Sequence, residues 1–130
     1  MLAKKIDLAF NKGNSGQYRL KLLNQENEVI VLENGAMIYF TVKENPNTDE
    51  YVFQKRLGDG IAYSEENQCY FIDIQTDDTE PMEYKDYFYD IAIVRNNGLG
   101  SANQKDKITP IIGNFKICYV ATFECNEVIE

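Results

Sequence analysis

Residues 87–94 read Tyr-Phe-Tyr-Asp-Ile-Ala-Ile-Val. An extended chain places alternate residues on opposite faces of a sheet. Here the odd-numbered positions are aromatic or aliphatic, and the even-numbered positions are apolar except for Asp90. A strand that is apolar on both faces is typical of the middle of a sheet, where both sides are covered. We therefore predict that this segment is a central strand of a β-protein.

The same period-two alternation recurs on both sides of this segment at intervals of about ten residues. Such spacing is typical of a β-sandwich or β-barrel, and helical periodicity is almost absent. The predicted strands cover residues 6–10, 18–22, 29–32, 36–42, 51–57, 70–74, 87–94 and 115–121. The sequence therefore predicts an all-β, antiparallel fold of about seven to eight strands in one domain, residues 1–130.

Short polar segments separate the predicted strands. Asn34-Gly35 is the strongest two-residue turn signal, because both residues tolerate positive φ, and we expect the runs on either side of it to pair or to turn a corner. Gly58-Asp59-Gly60 predicts a second tight turn. Residues 96–107 predict a long loop, after which Thr109-Pro110 suits the start of the last strand.

Charge and residue content exclude several classes of function. The 130 residues include 13 Lys and Arg, 21 Asp and Glu and no His, which gives a net charge of −8. A nucleic-acid module needs a basic stripe, which these scattered cations do not form, and no His-based catalytic set or His-containing zinc site is possible. No apolar run approaches the roughly 20 residues of a membrane helix. We expect no nucleic acid, membrane or cofactor partner, and synthesis in the cytoplasm.

The three cysteines, Cys69, Cys118 and Cys125, form no CxxC pair, and any one disulfide would leave an odd thiol. A zinc site would need a carboxylate as a fourth ligand and closer spacing. We therefore expect free thiols and a reducing compartment.

Two clusters have residue types that can carry chemistry. The carboxylates of Asp77, Asp78 and Glu80 could hold calcium, but the EF-hand spacing is missing, so a solvated turn is favoured. A glycosidase would need two acids opposed across a cleft, which the sequence does not indicate. Tyr84 and residues 87–89 could form a sugar-stacking platform or an interface anchor, although aromatics at strand spacing more often pack in a core.

The order of several motifs resembles the N-terminal domain of phage baseplate upper proteins. The most specific pieces are Tyr-x-Tyr-Asp-Ile at residues 87–91 and Thr-Pro-Ile-x-Gly-x-Phe-x-Ile at residues 109–117. Further pieces lie at residues 10–13, 40–43, 60–61 and 70–79, and the resemblance covers roughly residues 8–122. Family members continue beyond this domain into helical or receptor-binding parts, so we carry over an assembly role and not host attachment.

The resemblance implies an immunoglobulin-like antiparallel β-sandwich that builds phage or prophage virions, in the tail, baseplate or neck, without enzymatic activity. Its partners would be other tail and baseplate proteins, with a homo-oligomer as a further possibility. Aromatic residues outside the core would then be interface anchors, and we predict Tyr51, Phe53, Tyr84 and Tyr87 for this role. The alternative is a carbohydrate-binding or adhesion module that uses the Tyr and Phe cluster for stacking.

Overall fold

A computed structural model of the protein describes residues 4–23, 26–33, 35–96 and 105–118. These residues form nine strands and one short helix. The elements are β1 (Lys4–Lys5), β2 (Leu8–Asn11), β3 (Gly16–Leu20), β4 (Met37–Lys43), β5 (Phe53–Leu57), β6 (Gly60–Ser64), β7 (Cys69–Ile74), α1 (Thr76–Thr79), β8 (Asp86–Asn96) and β9 (Lys105–Cys118). The predicted all-β class is confirmed. In the described part of the chain, no helix is long and apolar enough to span a membrane.

The nine strands are hydrogen-bonded into one sheet in the order β1-β9-β8-β4-β5-β6-β7-β3, with β2 also paired to β9. β8 lies between β9 and β4, which confirms that residues 87–94 belong to a central strand. Most pairs are antiparallel, but β1 and β2 run parallel to β9, and β5 and β6 share a short parallel pairing. The sheet is therefore mainly antiparallel, and its parallel pairings are features that the sequence pattern did not indicate.

The sheet curls between β5 and β6. These strands share only two residue pairs. Gly58, in the turn between them, and Gly60, the first residue of β6, adopt φ values of 93° and 102°, which glycine reaches without steric cost. As a result, β3 at one end of the sheet approaches β9 near the other end, where the rings of Tyr18 and Phe115 meet edge to face at 6.4 Å. The curled sheet encloses the core, whereas the immunoglobulin-like arrangement stays a prediction.

The core is built around aromatic rings from four strands. Phe40 and Phe115 are fully buried, and their ring centroids lie 6.0 Å apart. Phe53 packs against both at about the same distance, and Tyr89 lies 5.4 Å from Phe40. Isoleucines at alternate positions of β4, β6, β7, β8 and β9 complete the buried cluster. The alternation seen in the sequence thus corresponds to the inner face of the sheet.

The chain between β1 and β2 approaches β9 very closely at Gly113. Ile6 lies between β1 and β2, and its backbone N–H donates to the carbonyl of Ile112 at 2.8 Å. A Cβ atom at position 113 would lie 2.0 Å from the Ile6 carbonyl oxygen, so only glycine fits here. The Asp7 carboxylate accepts a hydrogen bond from the Asn114 N–H at 3.0 Å. The expected strand 6–10 therefore begins only at Leu8, as β2, and residues 6–7 separate it from the short strand β1.

Three further expectations need correction. Residues 29–32 do not form a strand beside β4; Val29 instead makes an isolated bridge to Leu23. Residues 105–107, expected in a loop, already belong to β9. Pro110 lies inside β9, not at its start, opposite the register shift between Ile91 and Ile93, where a missing N–H donor is tolerated.

Candidate functional site

The acidic segment after β7 folds into the single turn of α1, where a solvated turn was expected. Asp78 Oδ2 accepts a hydrogen bond from the Gln75 N–H at 2.7 Å, and it lies 2.7 Å from Lys55 Nζ. The side chains of Lys55 and Asp78 are only 13% and 18% exposed, so this ion pair is shielded from solvent. One carboxylate of the candidate calcium cluster is therefore engaged in stabilising α1.

The end of α1 anchors the turn between β2 and β3. Thr79 is fully buried, and its hydroxyl accepts a hydrogen bond from the Gly13 N–H at 2.9 Å. After α1, the Tyr87 hydroxyl accepts a hydrogen bond from the Glu83 N–H at 2.8 Å. Among the described residues, no group of three or more acidic or thiol side chains is placed to hold a metal ion. The segment has a structural role in this fold, and the preference for a turn over a calcium site stays a prediction.

The four predicted interface aromatics divide into two pairs. Phe53 and Tyr87 are 9% and 3% exposed and belong to the core, so the prediction that they are exposed anchors is corrected. They point inward because β5 and β8 place alternate residues on the inner face of the sheet. Tyr51 and Tyr84 are each 52% exposed, and their role as interface anchors stays a prediction.

Tyr84 lies on the loop between α1 and β8. The ammonium group of Lys12 sits 4.7 Å from the centroid of its ring, which is within the range of a cation–π contact. The neighbouring Lys85 forms an ion pair with Glu44 at 2.6 Å, and this hydrogen bond raises the Lys85 pKa. The exposed Tyr84 ring thus lies against Lys12 and next to Lys85, which is ion-paired with Glu44.

Tyr51 borders a shallow depression on the outer face of the sheet, with a volume of about 350 Å³. This outer-face depression has a lining of mixed polar and apolar side chains, formed by Tyr39, Thr41, Lys43, Asp49, Tyr51, Gln54, Asp90, Ala92 and Val94. Gln54 Nε2 donates to the Thr41 hydroxyl at 3.0 Å across β5 and β4. An exposed aromatic ring beside ordered polar groups is suited to contact with a protein surface or a sugar ring.

Cys69 is buried in β7 and Cys118 is partly buried at the end of β9, and both are free thiols, as expected. Cys125 lies outside the described residues.

A second concave surface was not foreseen from the sequence. The structure brings Lys4, Arg19, Lys21 and Arg95 to the rim of a groove whose floor is apolar. These cations are scattered along the chain, and only the meeting of β1, β3 and β8 places them together. The alternation of Arg19 and Lys21 with Leu20 and Leu22 was the one local signal that a strand here has a basic outer side.

A scan against models of known protein families finds no match for this chain, and a search of curated proteins finds no relative. The resemblance to phage baseplate upper proteins therefore rests on the order of the sequence motifs alone.

Proposed function

We propose that this protein is a structural component of a phage or prophage virion, in the tail, baseplate or neck, and that it acts through protein–protein assembly. In this proposal the curled sheet is an immunoglobulin-like sandwich and the protein has no enzymatic activity. The partners are other tail and baseplate proteins, with self-association as a second route.

The observation that carries the proposal is the exposure of large apolar side chains in the segments that connect the strands of a well-packed sheet. Leu23, Val31, Tyr51 and Tyr84 are between 47% and 56% exposed, although many other aromatic and aliphatic residues are buried. Exposed tyrosines are typical anchors of protein interfaces, because a rigid ring offers a large contact area at low entropic cost.

The sheet edges support the same proposal. β1 and β3 are the two ends of the strand order, so each has a side without a strand neighbour among the described residues. Backbone groups on such edges readily pair with a strand from another molecule, and a protein that functions in an assembly can use them for docking.

The test is mass spectrometry of particles purified after prophage induction in the bacterium that carries the gene. We expect the protein in intact particles at a constant ratio to other tail proteins. Particles from a strain with Tyr51→Ser and Tyr84→Ser should contain much less of it, whereas Glu66→Ser, an exposed change on the β6–β7 turn, should leave its level unchanged. Intact particles that lack the wild-type protein would reject the proposal.

The outer-face depression supports one alternative, a carbohydrate-binding or adhesion module. Tyr51 offers a ring for stacking, and Asp49 and Gln54 offer hydrogen-bonding groups beside it. Glycan-array binding by the purified protein, lost in Tyr51→Ala and retained in Tyr84→Ala, together with absence from particles, would favour this alternative over the assembly role.

A further inference from the structure

The two free ends of the curled sheet face each other along a seam. At one end of the seam, near the β2–β3 turn, the edges are joined: the Tyr18 hydroxyl donates to the Ala9 carbonyl at 3.0 Å, and the rings of Phe10 and Tyr18 lie 6.1 Å apart. At the other end, where β1 lies beside residues 19–23, the edges separate and leave a groove.

This seam groove has a volume of about 490 Å³. Its floor is apolar, and a smaller cavity of about 100 Å³ continues from it toward Phe40 and Tyr89 in the core. The apolar lining consists of Ile6, Leu20, Leu22, Leu23, Ile30, Leu32, Ile93, Pro110 and Ile111. An apolar concavity of this size open to solvent is a site where a partner's apolar side chains would be buried favourably.

The charge around the seam groove is opposite to that of the whole chain. Its lining contains Lys4, Arg19, Lys21 and Arg95 and no acidic residue, whereas the protein has a net charge of −8. Arg19 also makes a cation–π contact inside the protein, with its guanidinium carbon 5.4 Å from the centroid of the Phe71 ring. A groove with this rim selects an occupant that has negative charge.

Exposed and buried side chains alternate along the strand that borders the seam groove, and this alternation indicates which residue pattern an occupant would need. Arg19 and Lys21 are exposed on the outer side of the seam, while Leu20 is buried on the inner side. A strand laid into the seam would place its own residues alternately on the same two sides. Its inward residues would contact the apolar floor, and its outward residues would lie beside the basic side chains, where opposite charges across strands attract.

We propose that the seam groove binds an extended peptide segment of a partner subunit in which apolar residues alternate with acidic ones. The segment adds to the free edges of the curled sheet through backbone hydrogen bonds, and the alternation of its side chains provides specificity. The proposal deepens the assembly role and rests on it for the source of the partner. Peptide binding itself can be tested on the purified protein without any particle.

The probe is a synthetic eight-residue peptide in which Ile alternates with Glu, labelled with fluorescein and titrated by fluorescence polarisation. We expect saturable binding that weakens at least tenfold between low salt and 0.5 M salt, because screening removes the charge attraction. The same peptide with Lys in place of Glu should not bind. Amide signals of residues 4–6 and 19–22 should shift in NMR spectra of the complex.

The variant Lys21→Glu with Arg95→Glu should weaken peptide binding at least tenfold. The matched control is Lys116→Glu with Lys43→Glu, which makes the same change in net charge away from the groove and should leave affinity within twofold. Equal loss in both double variants would show only a general charge effect and would overturn the proposal. Absence of peptide binding would also overturn the proposal. Binding of dodecanoate without binding of the peptide would overturn it too, because the groove would then be a site for a small amphiphile. Presence in virions with no peptide binding would reject this inference alone and leave the assembly role intact.

Discussion

Tyr89 connects three strands through one hydroxyl group. It lies in β8, its ring is buried against Phe40, and its hydroxyl donates to the Ile6 carbonyl at 2.6 Å. Ile6 is in turn bonded to β9 through its N–H. The position of Ile6 against β9 therefore depends on a side chain from the central strand.

Tyr89→Phe should lower the free energy of unfolding by about 1–3 kcal/mol, because the Ile6 carbonyl loses its donor in a partly buried site. Urea denaturation measures this change. The control Tyr51→Phe removes an exposed hydroxyl and should stay within about 0.5 kcal/mol of wild type. Equal values for the two variants would contradict the role given to the Tyr89 hydroxyl.

Gly113 is the second residue on which the close approach of Ile6 to β9 depends. Gly113→Ala places a Cβ atom 2.0 Å from the Ile6 carbonyl oxygen, and a backbone atom cannot move aside cheaply. We expect the free energy of unfolding to fall by about 1–3 kcal/mol, the usual range for overpacking. Gly16→Ala is the matched control, since its Cβ atom would meet only the movable ring of Phe10 at 3.2 Å, and its cost should be smaller. A crystal structure of Gly113→Ala in which the Ile6 carbonyl keeps its wild-type position would contradict this account.

At the scale of elements, α1 owes its position to Thr79. Thr79→Val keeps the side-chain volume but leaves the Gly13 N–H without its acceptor, so we expect a loss of about 1–3 kcal/mol. Thr76→Val, at an exposed position of the same helix, should change stability by no more than about 0.5 kcal/mol. Hydrogen exchange adds a local readout: the Gly13 amide should exchange faster in Thr79→Val and at the wild-type rate in Thr76→Val.

The elements that could be predicted from the sequence are those whose signal is local. β3, β4, β7 and β8 lie where alternation of apolar and polar residues placed them. α1 was missed, because a helix of four residues is too short to show a 3.6-residue period. The parallel pairing of β1 and β2 with β9 was also missed, since it joins residues far apart in sequence and leaves no local pattern.

The residues of the candidate sites could likewise be predicted only where their signal in the sequence is local. Exposure of Tyr51 and Tyr84 is consistent with their loop positions, but Phe53 and Tyr87 were assigned to an interface although they lie in strands with inward alternation. The seam groove could not be predicted, because its cations come from β1, β3 and β8, and only the curl of the sheet brings them together.

At the scale of the whole molecule, alkaline stability depends on two tyrosines of the seam and core. Burial raises the pKa of Tyr18 and of Tyr89 from 10.0 to about 12, and negative charge from Cys118 and from Asp7, respectively, adds to the effect. Between pH 10 and 12 the unfolded chain therefore loses phenolic protons that the folded protein keeps. The contribution of these groups to stability is complete below pH 10 and is lost as the pH rises toward 12.

Urea denaturation at pH 8, 10 and 11 should show a fall in the free energy of unfolding above pH 10. The double variant Tyr18→Phe with Tyr89→Phe should be less stable at pH 8, and its stability should fall less steeply between pH 10 and 11. An equal slope in the variant and the wild type would show that other groups cause the alkaline loss.

The parallel pairing of the first strands with β9 has a consequence for biosynthesis. Asp7 and Asn114 are 107 positions apart, and β1 and β2 have no partner in the sheet until β9 has been made. During translation the chain therefore leaves the ribosome with an incomplete sheet, in which β8 does not yet have β9 as its neighbour. Non-local pairing of this kind slows folding, because a long loop must close before its contacts form. The nascent chain thus lacks its closing strand until residues 105–118 have been made, and this is the interval in which a chaperone would protect it most.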